Sequence, residues 1–353
     1  MRRLLLFPFS LIYGFVIRLR NWLYDKGFFK PEGFDMPVIS VGNLSTGGTG
    51  KTPQIEYLIR LLSGKYQVAM LSRGYGRKTK GFVAADKYST ALEIGDEPAQ
   101  IANKFENVHV CVDEDRVHGI RELTYRYPNV EVILLDDAFQ HRAVKPGLSL
   151  LLTDFYHLYS EDFLLPSGNL REPRSAAKRA DIIIVTKSRN VFSPITYQRL
   201  TESLQPHPHQ RLFLSYIKYG QITPLNKKEC ALRKGKTVNT IFMFAGIANT
   251  YPLEDYLKGH CVELVTLIFP DHHRYTQKDI TKIRNTWDDI FTKNKLMVTT
   301  EKDVMRLKNP DIWDLVVNLP IHYVPIEVGF HNQGKKTFDR QILDYVEKSK
   351  RNH

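Results

Sequence analysis

The stretch from Pro37 to Leu62 constrains the fold more tightly than any other. An apolar, β-rich run, Pro37–Val41, leads into Gly42-Asn43-Leu44-Ser45-Thr46-Gly47-Gly48-Thr49-Gly50-Lys51-Thr52, and a helical pattern follows from Pro53 through Leu62. Strand, glycine-rich loop and helix in that order form a P-loop, whose backbone N–H groups wrap a phosphate at a helix N-terminus. The standard pattern would have glycine where Ser45 stands, but Gly47, Gly48 and Gly50 keep the loop free to turn. Ser45, Thr46, Gly47, Gly48, Thr49 and Gly50 are therefore the expected cradle for the phosphates of ATP. Lys51 is expected to meet the β- and γ-phosphates, and Thr52 to coordinate Mg²⁺. Pro53 suits an early helical turn, where its missing N–H costs little.

Further apolar runs recur between helical patterns, at Gln67–Leu71, Val108–Val112, Val130–Leu135, Leu148–Leu152 and Asp181–Val185. Strands as uniformly apolar as Val132–Leu135 belong in parallel sheets covered on both faces. The expected class is α/β, with a P-loop NTPase core and a doubly wound, mostly parallel sheet over residues 35–190. Pro194, Pro206, Pro208 and Pro224 break up residues 191–236, which read as an irregular linker. Strand patterns resume at Ile241–Ala245, Val262–Phe269, Met297–Thr300 and His322–Ile326, so a second, smaller α/β domain is expected over 237–347. Residues 348–353 read as a basic, disordered tail.

A chain of 353 residues with 42% hydrophobic content is long enough for two domains. Its formal charge of +12 suits an anionic partner such as phosphate, phospholipid or nucleic acid, without choosing among them. The three cysteines are widely separated and lack CxxC spacing, which implies neither a disulfide framework nor a zinc site. A reducing cytoplasm fits best.

Arg2 and Arg3 followed by apolar Leu4 to Ile17 imitate a secretory signal, but the run contains Pro8 and leads into Arg18 and Arg20 with no small-residue cleavage site. It is also shorter than the roughly 20 residues that span a bilayer. Residues 1–34 read instead as an amphipathic helix. Ser10, Gly14, Arg18, Asn21 and Asp25 form one stripe, and Leu11, Phe15, Leu19, Trp22 and Leu23 the adjoining face. Such a helix can lie in a headgroup layer or pack on its own domain.

The apolar strand Val130–Leu135 ends in Asp136-Asp137. Adjacent carboxylates repel one another unless a cation intervenes, so this pair is expected to face the metal. Gln140, His141 and Arg142 follow and can orient phosphate or substrate; His141 alone is more often a structural hydrogen-bonder.

Several motifs recur in order along the chain. Ser-Val-Gly-Asn precedes the Gly-Gly-x-Gly-Lys-Thr-Pro loop; Ser72-Arg73-Gly74-Tyr75-Gly76-Arg77, Gly95-Asp96-Glu97-Pro98 and Asp136-Asp137-Ala138-Phe139-Gln140-His141 come next. Leu165 to Pro173 (LPSGNLREP), Phe269-Pro270-Asp271-His272-His273 and Thr299-Thr300-Glu301-Lys302-Asp303 complete the set. Together they resemble the tetraacyldisaccharide 4′-kinase family over nearly the whole chain, with Ala138 where that family usually has glycine.

The resemblance implies an ATP- and Mg²⁺-dependent kinase acting on lipid A disaccharide 1-phosphate at the cytoplasmic face of the inner membrane. Asp96 resembles the base that takes the sugar hydroxyl proton, and His272 would assist it from the second domain. Asp96 would also suit the N-cap of a helix over Glu97–Phe105. Glu172 can complete the Mg²⁺ shell or be a solvated turn carboxylate. Arg73, Arg77, Arg116 and Arg171 are candidates for phosphate, because a guanidinium binds it bidentately. The expected partners are the lipid substrate and an anionic membrane surface, with no nucleic acid and no obligate protein partner. The competing expectation is a membrane-recruited ATPase or GTPase switch that makes no lipid product.

Overall fold

A computed structural model describes residues 2–86, 88–191, 193–226, 238–331 and 334–351. A long helix, α1 (Arg2–Asp25), precedes the sheet. The first unit then runs β1 (Val38–Asn43), α2 (Lys51–Leu62), β2 (Val68–Ser72), β3 (Val83–Ala84), α3 (Ala91–Ile94), α4 (Asp96–Lys104) and β4 (His109–Val112). It continues through α5 (Arg116–Arg126), β5 (Val132–Asp136), β6 (Leu148–Asp154), β7 (Ile182–Thr186), α6 (Pro194–Leu204) and β8 (Arg211–Tyr219). The second unit holds β9 (Thr223–Pro224), β10 (Val238–Ala245), α7 (Tyr251–Lys258), β11 (Cys261–Ile268), α8 (Gln277–Asp288), β12 (Lys295–Thr300), α9 (Glu301–Leu307), α10 (Pro310–Val316) and β13 (Ile321–Val324). The chain closes with β14 (Ile326–Phe330) and α11 (Gly334–Arg351).

The first sheet has nine strands in the order β14-β8-β7-β6-β1-β5-β2-β4-β3. Its seven inner strands are parallel, and both edge strands, β14 and β3, pair antiparallel. Strands such as β7, Ile-Ile-Ile-Val-Thr, are buried from end to end because helices cover both faces, as their sequence requires. One face packs on α2 and α11 through Ile55, Leu58, Ile59, Phe338, Ile342 and Val346. The second sheet, β11-β10-β12-β13-β9, is parallel apart from β9. The doubly wound core and the smaller second α/β unit are thus both present.

The domain boundaries read from sequence need correction. β8 lies within residues 191–236, yet it joins the first sheet beside β7. β14 lies within 237–347, yet it pairs with β8, Ile326 opposite Tyr219. Proline density marked the loops around 205–210 but hid a nine-residue strand, and contiguity hid the return crossing. Residues 348–351, expected as disordered, continue α11; the rest of that tail, and residues 227–237 of the expected linker, fall outside the described residues.

The orientation of α1 is set by its polar stripe. Ser10 and Asn21 are buried against the first unit. Ser10 Oγ donates to Leu164 O at 3.1 Å, Tyr13 Oη to Arg171 O at 2.7 Å, and Arg20 to Gln140 O at 2.9 Å. A Cβ at Gly14 would sit 2.8 Å from Leu164 Cδ1, so any larger residue there would require the Leu164 side chain to shift. The apolar face, including Leu11, Ile12, Phe15, Val16, Leu19 and Trp22, therefore points outward; Phe15 is 66% exposed. Each such side chain left in water forgoes about 1.5–3 kcal/mol of burial. Among the described residues no helix is long and apolar enough to cross a membrane.

Candidate active site

The carboxyl ends of the parallel strands converge on one rim, the place where open α/β sheets bind ligands. β1 delivers the glycine-rich loop. Gly50 turns through φ 84° to cap α2, a left-handed conformation that a side chain would strain, and Lys51 and Thr52 open the helix. Asn43 Nδ2 donates to Ser45 O at 2.7 Å, and Lys51 Nζ reaches Asn43 Oδ1 at 3.4 Å. The rim of the loop, Thr46, Gly47 and Gly48, is exposed, whereas Thr49 is buried. Thr46 N–H donates to Asn169 O at 2.7 Å, and Thr186 Oγ1 at the end of β7 donates to Thr49 O at 2.8 Å. Lys187 donates to Gly48 O and pairs with Asp154 at 2.8 Å. Asn169 and the end of β7 thus hold the cradle.

β5 lies beside β1, with Asp136 opposite Val41, and this register brings the acidic pair to the loop. Asp136 is 2% exposed and accepts from Ser72 Oγ at 3.0 Å, while its Oδ1 has no partner. Burial, aided by Glu97 and Asp137, pushes its pKa up to about 7. Asp137 adopts φ 48° and faces Lys51 at 3.5 Å and Arg171 at 3.1 Å. Burial would raise its pKa, but Lys51 and Arg171 outweigh this and hold the carboxyl below its ordinary range. A buried carboxylate oxygen without a donor is suited to a small hard cation. Among the described residues no three His, Cys, Asp or Glu side chains gather as a metal cage. Mg²⁺ at phosphate sites commonly takes one or two carboxylates and relies on phosphate and water for the rest.

Asp96 stands in the first turn of α4, with Gly95 as the N-cap and no capping bond from the aspartate. The N-cap expectation for Asp96 is thereby corrected: the helix begins one residue earlier, and its carboxylate is turned elsewhere. Asp96 Oδ2 accepts from Arg306 Nε at 2.9 Å and lies 3.6 Å from His272 Nδ1. Burial works to raise the Asp96 pKa, but His272 and Arg306, with Lys302 further off, hold the carboxylate below its ordinary range. His272 follows β11 and has φ 57°, with its ring edge-on to Tyr75 at 6.0 Å. The two units also meet through Lys302–Glu97 at 3.2 Å and Lys104–Glu301 at 2.7 Å. Of the four non-glycine residues with positive φ among those described, Asp137, Lys187 and His272 border this rim, the usual place for stored backbone strain.

The expected phosphate and substrate residues separate into two groups. Arg73 is exposed beside the rim and Arg171 reaches Asp137, so both present charge to the site. Arg77 instead pairs with Glu114 at 2.8 Å and donates to Gly81 O at 2.8 Å. Arg116 is 2% exposed and donates to the carbonyls of Asp113 and Asp136, bracing the end of β5. His141 Nε2 accepts from the Arg116 backbone N–H at 3.3 Å, and Gln140 Nε2 donates to Asn43 O at 2.8 Å. Glu172 is buried against Arg179, with Arg20 3.9 Å away, and these contacts make it part of an ion-pair cluster beneath α1. Sequence reasoning missed Arg306, Ser72 and Lys187. Arg306 lies three residues after Asp303, and its signal was a cation on the same helical face as that motif aspartate.

Parallel strands that carry Lys51 and Asp136 to a shared rim place the chain among the P-loop kinases. Residues 2–347 match the family model described as tetraacyldisaccharide-1-P 4′-kinase, and the chain belongs to that family. It is 43% identical to the tetraacyldisaccharide 4′-kinase of Bacteroides thetaiotaomicron, over 98% of this chain and 94% of the relative. It is 45% identical to the protein of the same name from Flavobacterium psychrophilum, over 98% of both. The structure of Aquifex aeolicus LpxK in complex with ATP superposes with a TM-score of 0.73 at 31% identity, covering 98% of this chain and all of that one. The kinase reading therefore displaces the expectation of a switch without a lipid product.

Proposed function

We propose that this chain transfers the γ-phosphoryl group of ATP to the 4′-hydroxyl of tetraacyldisaccharide 1-phosphate, giving lipid IVA. Asp96 takes the hydroxyl proton as the sugar oxygen bonds to the γ-phosphorus and the bond to the β-phosphoryl oxygen breaks, releasing ADP. With its pKa held low, Asp96 is ionised at neutral pH and orients the hydroxyl before accepting its proton late. Lys51 and the N–H groups of Gly47 to Lys51 stabilise the charge that moves onto the β- and γ-oxygens. Arg171, already beside Asp137, is near enough to engage a phosphoryl group. Thr52, Asp136 and Asp137 would hold Mg²⁺, which would supply charge neutralisation for the nucleotide phosphates. Glu172, buried with Oε1 lacking a hydrogen-bond partner, would complete the Mg²⁺ shell directly or through water.

The observation that carries the reading is the proximity of base and metal elements. Ser72 Oγ donates to Asp136 at 3.0 Å, and Gly74, two residues further on, packs against Gly95, the residue before Asp96. A hydroxyl presented to Asp96 would therefore lie close to a nucleotide held over Asp136. The outward apolar face of α1 supports peripheral binding to the cytoplasmic face of the inner membrane, where the acyl chains of the substrate can stay in lipid.

The test is direct. Purified protein with labelled ATP, Mg²⁺ and tetraacyldisaccharide 1-phosphate in detergent yields a labelled bisphosphorylated lipid. ATP hydrolysis that ignores the lipid, with no labelled lipid formed, would defeat the proposal.

A further inference from the structure

Arg306 belongs to α9 of the second unit, yet it touches the base of the first. Its guanidinium is only 4% exposed and makes four contacts. Nη1 donates to Gly246 O at 2.7 Å and to Asp303 Oδ1 at 3.0 Å. Nε donates to Asp96 Oδ2 at 2.9 Å, and Nη2 lies 3.3 Å from His272 Nδ1. Asp303 is itself fixed, accepting from Gly246 N–H at 3.1 Å and Thr300 Oγ1 at 2.7 Å. The guanidinium is thus anchored within its own unit on one side and presents its remaining donors across the boundary.

We propose that Arg306 is the positioning residue that orients Asp96 and His272 for the transfer, and that it does so only when the two units are in contact. The proposal rests on the reading of Asp96 as base.

Three consequences of the geometry support it. Arg306 occupies Asp96 Oδ2, which leaves Oδ1 for the incoming hydroxyl and fixes the carboxylate plane. A guanidinium has only donors, so the Nδ1 it faces must accept, and neutral His272 carries its proton on Nε2. The same Nδ1 lies 3.6 Å from Asp96 Oδ2, so Arg306, His272 and Asp96 form one three-way contact across the two units. The other charges facing this group are Lys302 toward Asp96, Asp271 at 3.8 Å from His272 Nε2, and Asp303 behind the guanidinium.

The test uses the full chain in the lipid kinase assay, with Arg306→Gln and Arg306→Lys compared over a pH series. Thermal melting and ATP binding are measured in parallel. Arg306→Gln is expected to lower kcat by about 10²-fold, the scale of a misplaced catalytic group, while ATP affinity stays within about twofold. Its acid limb in kcat/KM moves to higher pH, because a carboxylate without the cation protonates more readily. Arg306→Lys keeps charge but not the planar fork, so the acid limb stays near wild type while kcat remains roughly 10-fold down. A folded Arg306→Gln with wild-type kcat, or with reduced kcat and an unmoved acid limb, overturns the proposal. Should Arg306→Gln fail to fold, wild-type kcat in Arg306→Lys overturns it. Asp96→Asn in the same assay separates the two readings: full activity there removes Asp96 as base, whereas an inactive Asp96→Asn with an unmoved Arg306→Gln limb removes Arg306 alone.

Discussion

Arg306 Nε and Asp96 Oδ2 are 2.9 Å apart although 210 residues separate them in the chain. The contact joins the unit that carries the nucleotide loop to the unit that carries His272, and it makes the charge of Asp96 a property of both. Asp96→Asn is close to isosteric and, since Asp96 caps nothing, leaves the start of α4 intact. Turnover should fall about 10²-fold or more, as for loss of a general base. Retained turnover in the lipid assay would count against the mechanism.

The same pair gives a pH signature in stability. The Asp96 carboxyl is held below the ordinary aspartate range, so its ion pair stabilises the folded chain above that range. The contribution is lost as pH falls through the still lower folded value. The melting-temperature gap between wild type and Asp96→Asn should therefore be full at pH 7 and narrow below about pH 3.8; a gap that widens in acid would reverse the assignment.

Lys51→Ala removes the cation that follows charge onto the transferred group. Turnover is expected to drop by roughly 10²-fold or more, the scale of losing one preorganised transition-state donor. The fold should persist, because the partners of Lys51 in the nucleotide-free chain are the half-buried Asp137 and Asn43 Oδ1. Circular dichroism and single-turnover kinetics on the same preparation check both halves.

Asp136 shows function working against stability. A buried carboxylate with one oxygen lacking a donor is unfavourable without a cation, and more so as pH rises toward the value near 7 at which it ionises. Asp136→Asn should raise the melting temperature of Mg²⁺-free protein at pH 8 while abolishing kinase activity. Added Mg²⁺ with nucleotide should stabilise wild type and leave the variant almost unmoved. Equal stabilisation of both would remove Asp136 from the metal site.

The seating of α1 decides how its membrane contact can be tested. Deleting the helix would strip Ser10 and Tyr13 from their partners on the body, so a lowered melting point would not discriminate between anchoring and packing. Replacing exposed Leu11, Phe15 and Trp22 with serine leaves those contacts alone. Sedimentation with anionic vesicles should weaken while melting and ATP binding stay near wild type. Undiminished sedimentation would exclude this face as the contact.

The legible parts of the molecule were those specified by local chemistry. The P-loop could be read because strand, glycines, lysine and helix lie within 26 residues, Pro37 to Leu62, and the Asp136 pair because it ends an apolar strand. Non-local pairings were not legible. Nothing in the composition of Arg211–Tyr219 says that it extends the first sheet, since an edge-proximal strand can alternate as a surface strand does. Arg77 and Arg116 look alike in sequence to Arg73 and Arg171; only the fold reveals that the first two are spent on Glu114 and on backbone carbonyls. The polar stripe of α1 was identified correctly, but its meaning depended on Leu164 and Ser167, more than 150 residues away.

The antiparallel pairing of Tyr219 with Ile326 means that the chain leaves the first sheet and returns to it at a single point, reinforced by Gly220 N–H donating to Pro325 O at 2.7 Å. Everything between those residues hangs from a two-stranded stalk. No strand of the nucleotide-binding sheet depends on what the stalk carries, so the suspended portion can diverge, or be exchanged for another, without reopening the sheet that handles ATP. The sheet that handles the phosphate donor and the unit that carries His272 and Arg306 are in this sense built separately, rejoined by a few side chains that reach across.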